Sequence, residues 1–194
     1  MIAQGFEILA VLLAIAYLLL AARENILCWY CAFLSSLIFV FVFWDVSLLM
    51  ESMLNIFYVV MAIVGWLEWK YGGTNKRHLA ISSLKFWHHV LIILGMLVLA
   101  AVNGWLMQNY TDAAWPFVDS FTTWASVITT FMVVFKVLEN WLYWLLIDAI
   151  SIVLYIDRGL YLTALLFAAY VLIVIFAYIN WRRIYLEAGR KQFA

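Results

Sequence analysis

The sequence predicts an all-α integral membrane protein with seven transmembrane helices in a 3+1+3 arrangement. Two parallel three-helix repeats are joined by a linker helix. Three observations lead there. Of 194 residues, 69% are hydrophobic and only 11% charged, with mean hydropathy +1.05, against about 45–50% apolar and about 25% charged in soluble domains. The apolar residues gather in seven continuous runs, each close to the roughly 20 residues a membrane-spanning helix needs. Polar landmarks of the first three runs recur in the last three. A water-soluble enzyme is excluded, and no length remains for an extramembrane catalytic domain.

The spans fall between charges and turn residues, at 5–22, 26–43, 48–69, 86–107, 118–137, 141–156 and 160–181. Arg23-Glu24-Asn25 separates the first two, Asp45 the second and third, and a polar loop over 70–85 the third and fourth. Glu139-Asn140 and Arg158-Gly159 mark the last two boundaries. A β-barrel needs strands of about 10 residues with alternating polarity, and these runs are apolar throughout. The first span lacks a basic leader and a cleavage site, so it reads as a retained helix rather than a signal peptide.

With the N-terminus outside, the cytoplasmic side receives Arg23, Lys70, Lys76, Arg77, Lys85, Lys136, Arg182, Arg183, Arg190 and Lys191, and the outside only Arg158. Cytoplasmic loops attract Lys and Arg, so the N-terminus is expected outside and the C-terminus in the cytoplasm. Trp44, Trp69, Trp105, Tyr110, Trp115 and Trp181 lie near span ends and suit interfacial belts. His78, His88 and His89 around the inner loop admit a metal site, but a solvated basic anchor is the better reading. Cys28 and Cys31 have redox or half-zinc spacing, yet no second CxxC or nearby histidine completes a site, so they read as small helix residues. Zero net charge gives no global field for nucleic acid. Gly72-Gly73-Thr74 lacks P-loop spacing. No cofactor or metal is expected.

The repeat is read from spacings. Asp45 to Trp69 and Asp157 to Trp181 both span 24 residues, and Tyr58 and Tyr170 each stand 11 before those tryptophans. Arg23-Glu24-Asn25-x-x-x-Trp29 is matched by Leu138-Glu139-Asn140-x-x-x-Trp144, with a three-residue slip between this match and the others. Three helices plus a linker helix return the chain to its starting side, so the repeats are parallel, as in SWEET-type carriers. The expected divisions are 1–71 for the first repeat, 72–117 for the inner loop and linker helix, 118–182 for the second repeat and 183–194 for a cytoplasmic tail.

A charge at mid-bilayer costs at least about 2.5–3.5 kcal/mol, which makes an intramembrane ionisable residue a functional candidate. Asp148 is the foremost, in the middle of span six. Asn140, Trp144, Asp148 and Ser151 share a helical face, with Trp141 almost on it. An aromatic wall, an amide and a carboxylate suit a flat aromatic cation. Span three supplies Glu51, Asn55, Tyr58 and, less deep, Trp66, and Tyr170 on span seven closes the candidate pocket. Span five adds Ser120, Thr122, Thr123, Ser126, Thr129 and Thr130, whose hydroxyls often bond only their own backbone. Glu7, Glu24, Asp45, Asp119, Glu139 and Asp157 sit near span ends and read as caps or interfacial pairs.

Asn55-x-x-Tyr58, Gly65-Trp66-x-x-Trp69, Asp119-Ser120-Phe121-Thr122-Thr123, Glu139-Asn140-Trp141-x-x-Trp144-x-x-x-Asp148 and Gly159-Leu160-Tyr161 together resemble the Pnu-type vitamin transporter family. Its best-known branch carries nicotinamide riboside, and the likeness covers roughly residues 5–185. The resemblance implies a bacterial inner-membrane homotrimer with one pathway per protomer. It also implies facilitated diffusion, with a cytoplasmic vitamin kinase trapping the substrate. Asn55, Asp148 and the 119–123 run look more like the thiamine-carrying branch, whereas nicotinamide riboside carriers tend to have Gln at position 55, Asn at position 62 and sometimes Asn at position 148. Val64 departs from both branches, where an aromatic commonly precedes Gly-Trp.

The expected function is therefore uptake of a B-vitamin, thiamine first and nicotinamide riboside as the alternative, by a uniporter and not an enzyme. The site is expected between the repeats. Trp141 and Trp144 would stack on the ligand, Asp148 would offset its cation, and Asn55, Glu51 and Asn140 would read polar edges, with Tyr58 and Tyr170 as walls. The rivals of another class are a membrane enzyme, which lacks a nucleophile and base at depth, and a purely structural subunit, which leaves the polar stripe unexplained.

Overall fold

The computed structural model describes residues 2–45, 49–73, 79–111, 115–157, 159 and 161–192. They form seven helices: α1 (Ile2–Ala22), α2 (Cys28–Asp45), α3 (Leu49–Tyr71), α4 (Phe86–Tyr110), α5 (Pro116–Val134), α6 (Asn140–Asp157) and α7 (Tyr161–Gln192). Each is long and apolar enough to cross a membrane. No strand forms among the described residues, where a lone backbone bridge joins Ser82 and Val137. Pro116 opens α5, where a missing N–H costs nothing and the fixed φ is already helical. Helix α7 runs 11 residues past the expected limit at 181. Arg182 and Arg183 end the apolar run but not the helix, because no proline follows and Arg183 approaches Glu187 one turn on, at 3.9 Å.

The helix boundaries repeat in one register. Ala22 and Val134 end α1 and α5, Cys28 and Asn140 begin α2 and α6, Asp45 and Asp157 end them, and Leu49 and Tyr161 begin α3 and α7. Each pair is 112 positions apart. The three-residue slip is thereby corrected, since no helix boundary shifts where the Glu-Asn motifs do. Trp29 answers to Trp141, and Glu24 to Lys136. The termini of α1 and α5 are also built alike. Asn25 N–H bonds Leu20 O at 2.9 Å and Val137 N–H bonds Met132 O at 2.8 Å, the outer bond of a Schellman motif. The left-handed residue each motif requires is Glu24 (φ 54°) and Lys136 (φ 49°), where glycine is usual.

The described chain forms two compact units. The first holds Met1–Ile81, Val134–Lys136 and Phe176–Ala194, the second Ser82–Val133 and Val137–Ile175. In the first, α2 packs on both α1 and α3. Trp29, in the first turn of α2, is buried edge-on to Trp69 with ring centroids 5.3 Å apart and 6.1 Å from Tyr17. Gly65 makes this approach possible, because a Cβ there would overlap the Trp29 indole. Trp69 in turn packs on Trp181 at 5.9 Å. Trp181 Nε1 donates to Ala21 O at 2.9 Å and Asn180 Nδ2 to Ala22 O at 2.8 Å, satisfying carbonyls that the end of α1 leaves open. Trp69 and Trp181 are 2% and 0% exposed. They are interior residues, which corrects their expected place in an interfacial belt; Trp44, Trp105, Tyr110 and Trp115 are exposed near helix ends.

In the second unit, Met96 of α4, Ala125 of α5 and Ile147 of α6 form a core flanked by Phe121, Tyr143 and Trp144. Gly104 lets α4 meet Phe117, where a Cβ would collide with that residue's backbone. Asn103 Nδ2 donates to Ser120 Oγ at 3.0 Å. His89, entering α4, stacks on Tyr143 with Nδ1 2.9 Å from its hydroxyl. These contacts hold α4, α5 and α6 side by side and so fix the rotation of α6.

Candidate functional site

Helix α6 buries Asn140, Trp141, Ile147, Asp148, Ser151 and Leu154, a stripe at intervals of three, four and seven residues. Asp148 stands two turns into the helix and is 5% exposed. No hydrogen bond or ion pair reaches its carboxyl from the described residues. Buried polar side chains nearly always have partners, so an unpartnered carboxyl at this depth calls for one from outside the chain. Asn140 begins the helix, its Nδ2 donating to Val137 O at 2.7 Å while its buried Oδ1 has no partner among the described residues. Ser151 Oγ donates to Ile147 O at 2.9 Å, which spends its proton on the helix backbone. Trp144, half-buried, packs against the Met96–Ala125–Ile147 core.

Helix α5 adds two buried polar atoms without partners among the described residues, Trp124 Nε1 and Thr129 Oγ1. Thr122 donates to Val118 and Asp119 carbonyls, Thr130 to Ser126 O, and Ser120 takes the Asn103 amide. Tyr170 of α7 is half-buried beside Phe167 and within electrostatic range of Asp148. Thus α5, α6 and the first part of α7 hold Asn140, Trp141, Trp144, Asp148, Ser151 and Tyr170 within one compact unit.

The α3 candidates belong to the first unit. Asn55 is buried, and Tyr58 is half-buried within electrostatic range of Tyr17. The Glu51 side chain lies outside the described residues. Trp66 is already engaged, with Lys70 Nζ 4.3 Å from its ring and Tyr30 and Tyr71 edge-on to it. It also lines an apolar groove of about 280 Å³ with Trp29, Phe33 and Ala62. A larger cavity of about 480 Å³ lies against Glu24, Trp69, Lys136 and Tyr185. Among the described residues no group of His, Cys, Asp and Glu is placed to hold a metal ion. His78 and Arg158 lie outside the described residues.

Residues 4–183 match the family model described as nicotinamide mononucleotide transporter. The chain belongs to this family. The nicotinamide riboside transporter PnuC of Escherichia coli (strain K12) is 24% identical to it, over 89% of this chain and 81% of that protein. The protein of the same name from Shigella flexneri matches to the same extent. The crystal structure of the vitamin B3 transporter PnuC superposes with a TM-score of 0.75 at 21% identity, covering 95% of this chain and 83% of that one. The seven-helix fold is therefore that of the solved vitamin B3 transporter PnuC, and the chain is a multi-pass membrane protein of a vitamin transporter family.

Within that family setting, several residues stand out that the sequence reading passed over. Trp124 was hidden in a threonine-rich helix, where Thr129 was named only as one of six hydroxyls whose letters do not say which are spent. Lys136, counted there as an ordinary inside charge, is 5% exposed and bonded to Glu24 Oε1 at 2.7 Å. Its signal was positional, since it stands 112 residues after Glu24, the spacing that relates the helix ends. Glu139 accepts from the Ser83 hydroxyl and from Leu84 N–H at 3.3 Å, and Asp157 accepts from Trp115 Nε1 at 2.9 Å. These end-of-helix carboxylates are paired.

Proposed function

We propose that this chain is an inner-membrane carrier for nicotinamide riboside, with the α6 stripe as its principal substrate contact. The observation that carries the reading is Asp148, buried and without a partner on the face that bears Trp144, in a family whose matched members are named for nicotinamide riboside or vitamin B3. Pyridinium is a flat cation. Trp141 and Trp144 stack on it, Asp148 offsets its charge in a low-dielectric setting, and Asn140 Oδ1 accepts a donor from the ligand. Tyr170, Ser151, Tyr58, Asn55, Glu51 and Trp66 complete the proposed set, with Ser151 and Trp66 contributing shape because their polar or π faces are engaged. Thiamine is the second reading, favoured by Asn55, Asp148 and the run Asp119–Thr123 taken together.

The carrier works as a uniporter in a 3+1+3 arrangement, a reading supported by the common 112-residue register of the helix boundaries. The N-terminus lies outside, as the bias of Lys and Arg argues. Phosphorylation by a cytoplasmic kinase makes uptake one-way, and the working unit is a homotrimer. Flux of labelled nicotinamide riboside into protein-only liposomes tests the function. Saturable, ATP-independent flux, blocked by excess unlabelled nicotinamide riboside but not by thiamine, is expected. Flux of thiamine alone would transfer the assignment to the second reading, and absence of both would overturn the carrier.

A further inference from the structure

Glu24 and Lys136 occupy the same position of the two repeats, two residues beyond the ends of α1 and α5. Both are held in the left-handed conformation, which is unfavourable for side chains with a Cβ. Glu24 also faces the negative end of the α1 dipole, where an anion is unfavourable. Local structure thus argues against a glutamate there, and glycine would serve the turn better. What it gains is a cross-repeat ion pair. Lys136 Nζ lies 2.7 Å from Glu24 Oε1 and 4.5 Å from the centre of the Trp69 ring. The two side chains are 6% and 21% exposed. Trp69 packs on Trp181, its own repeat counterpart, so two pairs of equivalent positions meet at this one end of the first unit.

We propose that the Glu24–Lys136 pair is a latch that holds the cytoplasmic ends of the two repeats together and parts when the carrier opens to the cytoplasm. The proposal rests on the carrier reading and its orientation above. The pair borders the cavity of about 480 Å³, whose other walls include Trp69, Ile81, Tyr185 and Ala188. Opening it joins that cavity to the interior of the unit. Cys28, the first residue of α2, is 0% exposed and within electrostatic range of Lys136, which offers a buried native thiol as a reporter of the latch.

The test is maleimide labelling of Cys28 in detergent-purified full-length protein carrying Cys31→Ser, alongside flux in liposomes. Glu24→Gln and Lys136→Gln should each speed labelling at least tenfold. The exchanged pair Glu24→Lys with Lys136→Glu should return it to the parent rate. The double variant Glu24→Gln with Lys136→Gln leaves no lone buried charge, so it serves if the single variants fail to fold, and it too should label fast. Parent-like labelling in the folded single or double neutral variants would overturn the latch, as would fast labelling of the exchanged pair. Labelling reads the latch without substrate, so loss of the latch and loss of the carrier reading are told apart by whether the parent protein still transports nicotinamide riboside.

Discussion

Helices α2 and α6 are of equal length and lie 112 positions apart from first residue to last, yet they carry different chemistry. Trp29 answers to Trp141, and both are almost completely buried. Around them the letters diverge. Where α6 has Asn140, Trp144 and Asp148, α2 has Cys28, Ala32 and Ser36. The neighbouring hydroxyl of α2 is satisfied, Ser35 Oγ donating to Ala10 O at 2.8 Å, whereas Asn140 Oδ1 of α6 has no partner among the described residues and Asp148 is buried on the same helix. On the proposed function, the shared features build the scaffold and the unshared ones the substrate site. An account of this chain stands or falls on that division.

The largest expected effect breaks the scaffold side. Trp29→Ala removes the ring seated on Gly65 and should cost about 3 kcal/mol or more of stability, read as a fall in the thermal unfolding midpoint in detergent. Gly65→Ala, which forces the same ring aside, should move in the same direction. Next comes the site side. Trp144→Ala should weaken nicotinamide riboside binding by about 1–3 kcal/mol, the scale of stacking a flat ring on an aromatic side chain, while Trp144→Phe retains most of it; equal affinities for the two variants would remove stacking from the account. Thr129→Val replaces an unpartnered hydroxyl by an isosteric methyl and should leave stability within about 1 kcal/mol or raise it. A fall of several kcal/mol would mean that the hydroxyl has a structural partner. The smallest effect is Ser36→Ala, the scaffold counterpart of Asp148, which should alter substrate affinity less than about twofold by calorimetry.

The fold was legible because bilayer thickness dictates helix length, and every apolar run became a helix. Boundaries failed where backbone geometry rather than hydropathy decides them. Helix α5 stops at Val134 because Lys136 turns left-handed, and α7 continues beyond Trp181 because charged residues are good helix formers outside the bilayer. The 112-residue spacing was visible as well, but matching Glu-Asn letters suggested a slip that the helix ends do not show. Trp69 and Trp181 looked interfacial from their nearness to charges. They are buried because Trp181 satisfies the end of α1, a tertiary fact with no local signature. In the candidate site, the common buried face of Asn140, Asp148 and Ser151 was legible from helical spacing. Which hydroxyls and amides were already spent was not, since Thr122, Thr130 and Ser151 bond their own helices and Thr129 does not.

The most direct measurement is calorimetric titration of nicotinamide riboside into purified parent protein and Asp148→Ala, with Ser36→Ala as the scaffold control. The account predicts measurable binding to the parent and the control, and a loss of at least about tenfold at Asp148→Ala, consistent with removing a charged partner worth about 1.5–3 kcal/mol. Equal affinity of a folded Asp148→Ala variant would contradict the division between scaffold and site on which the functional reading rests.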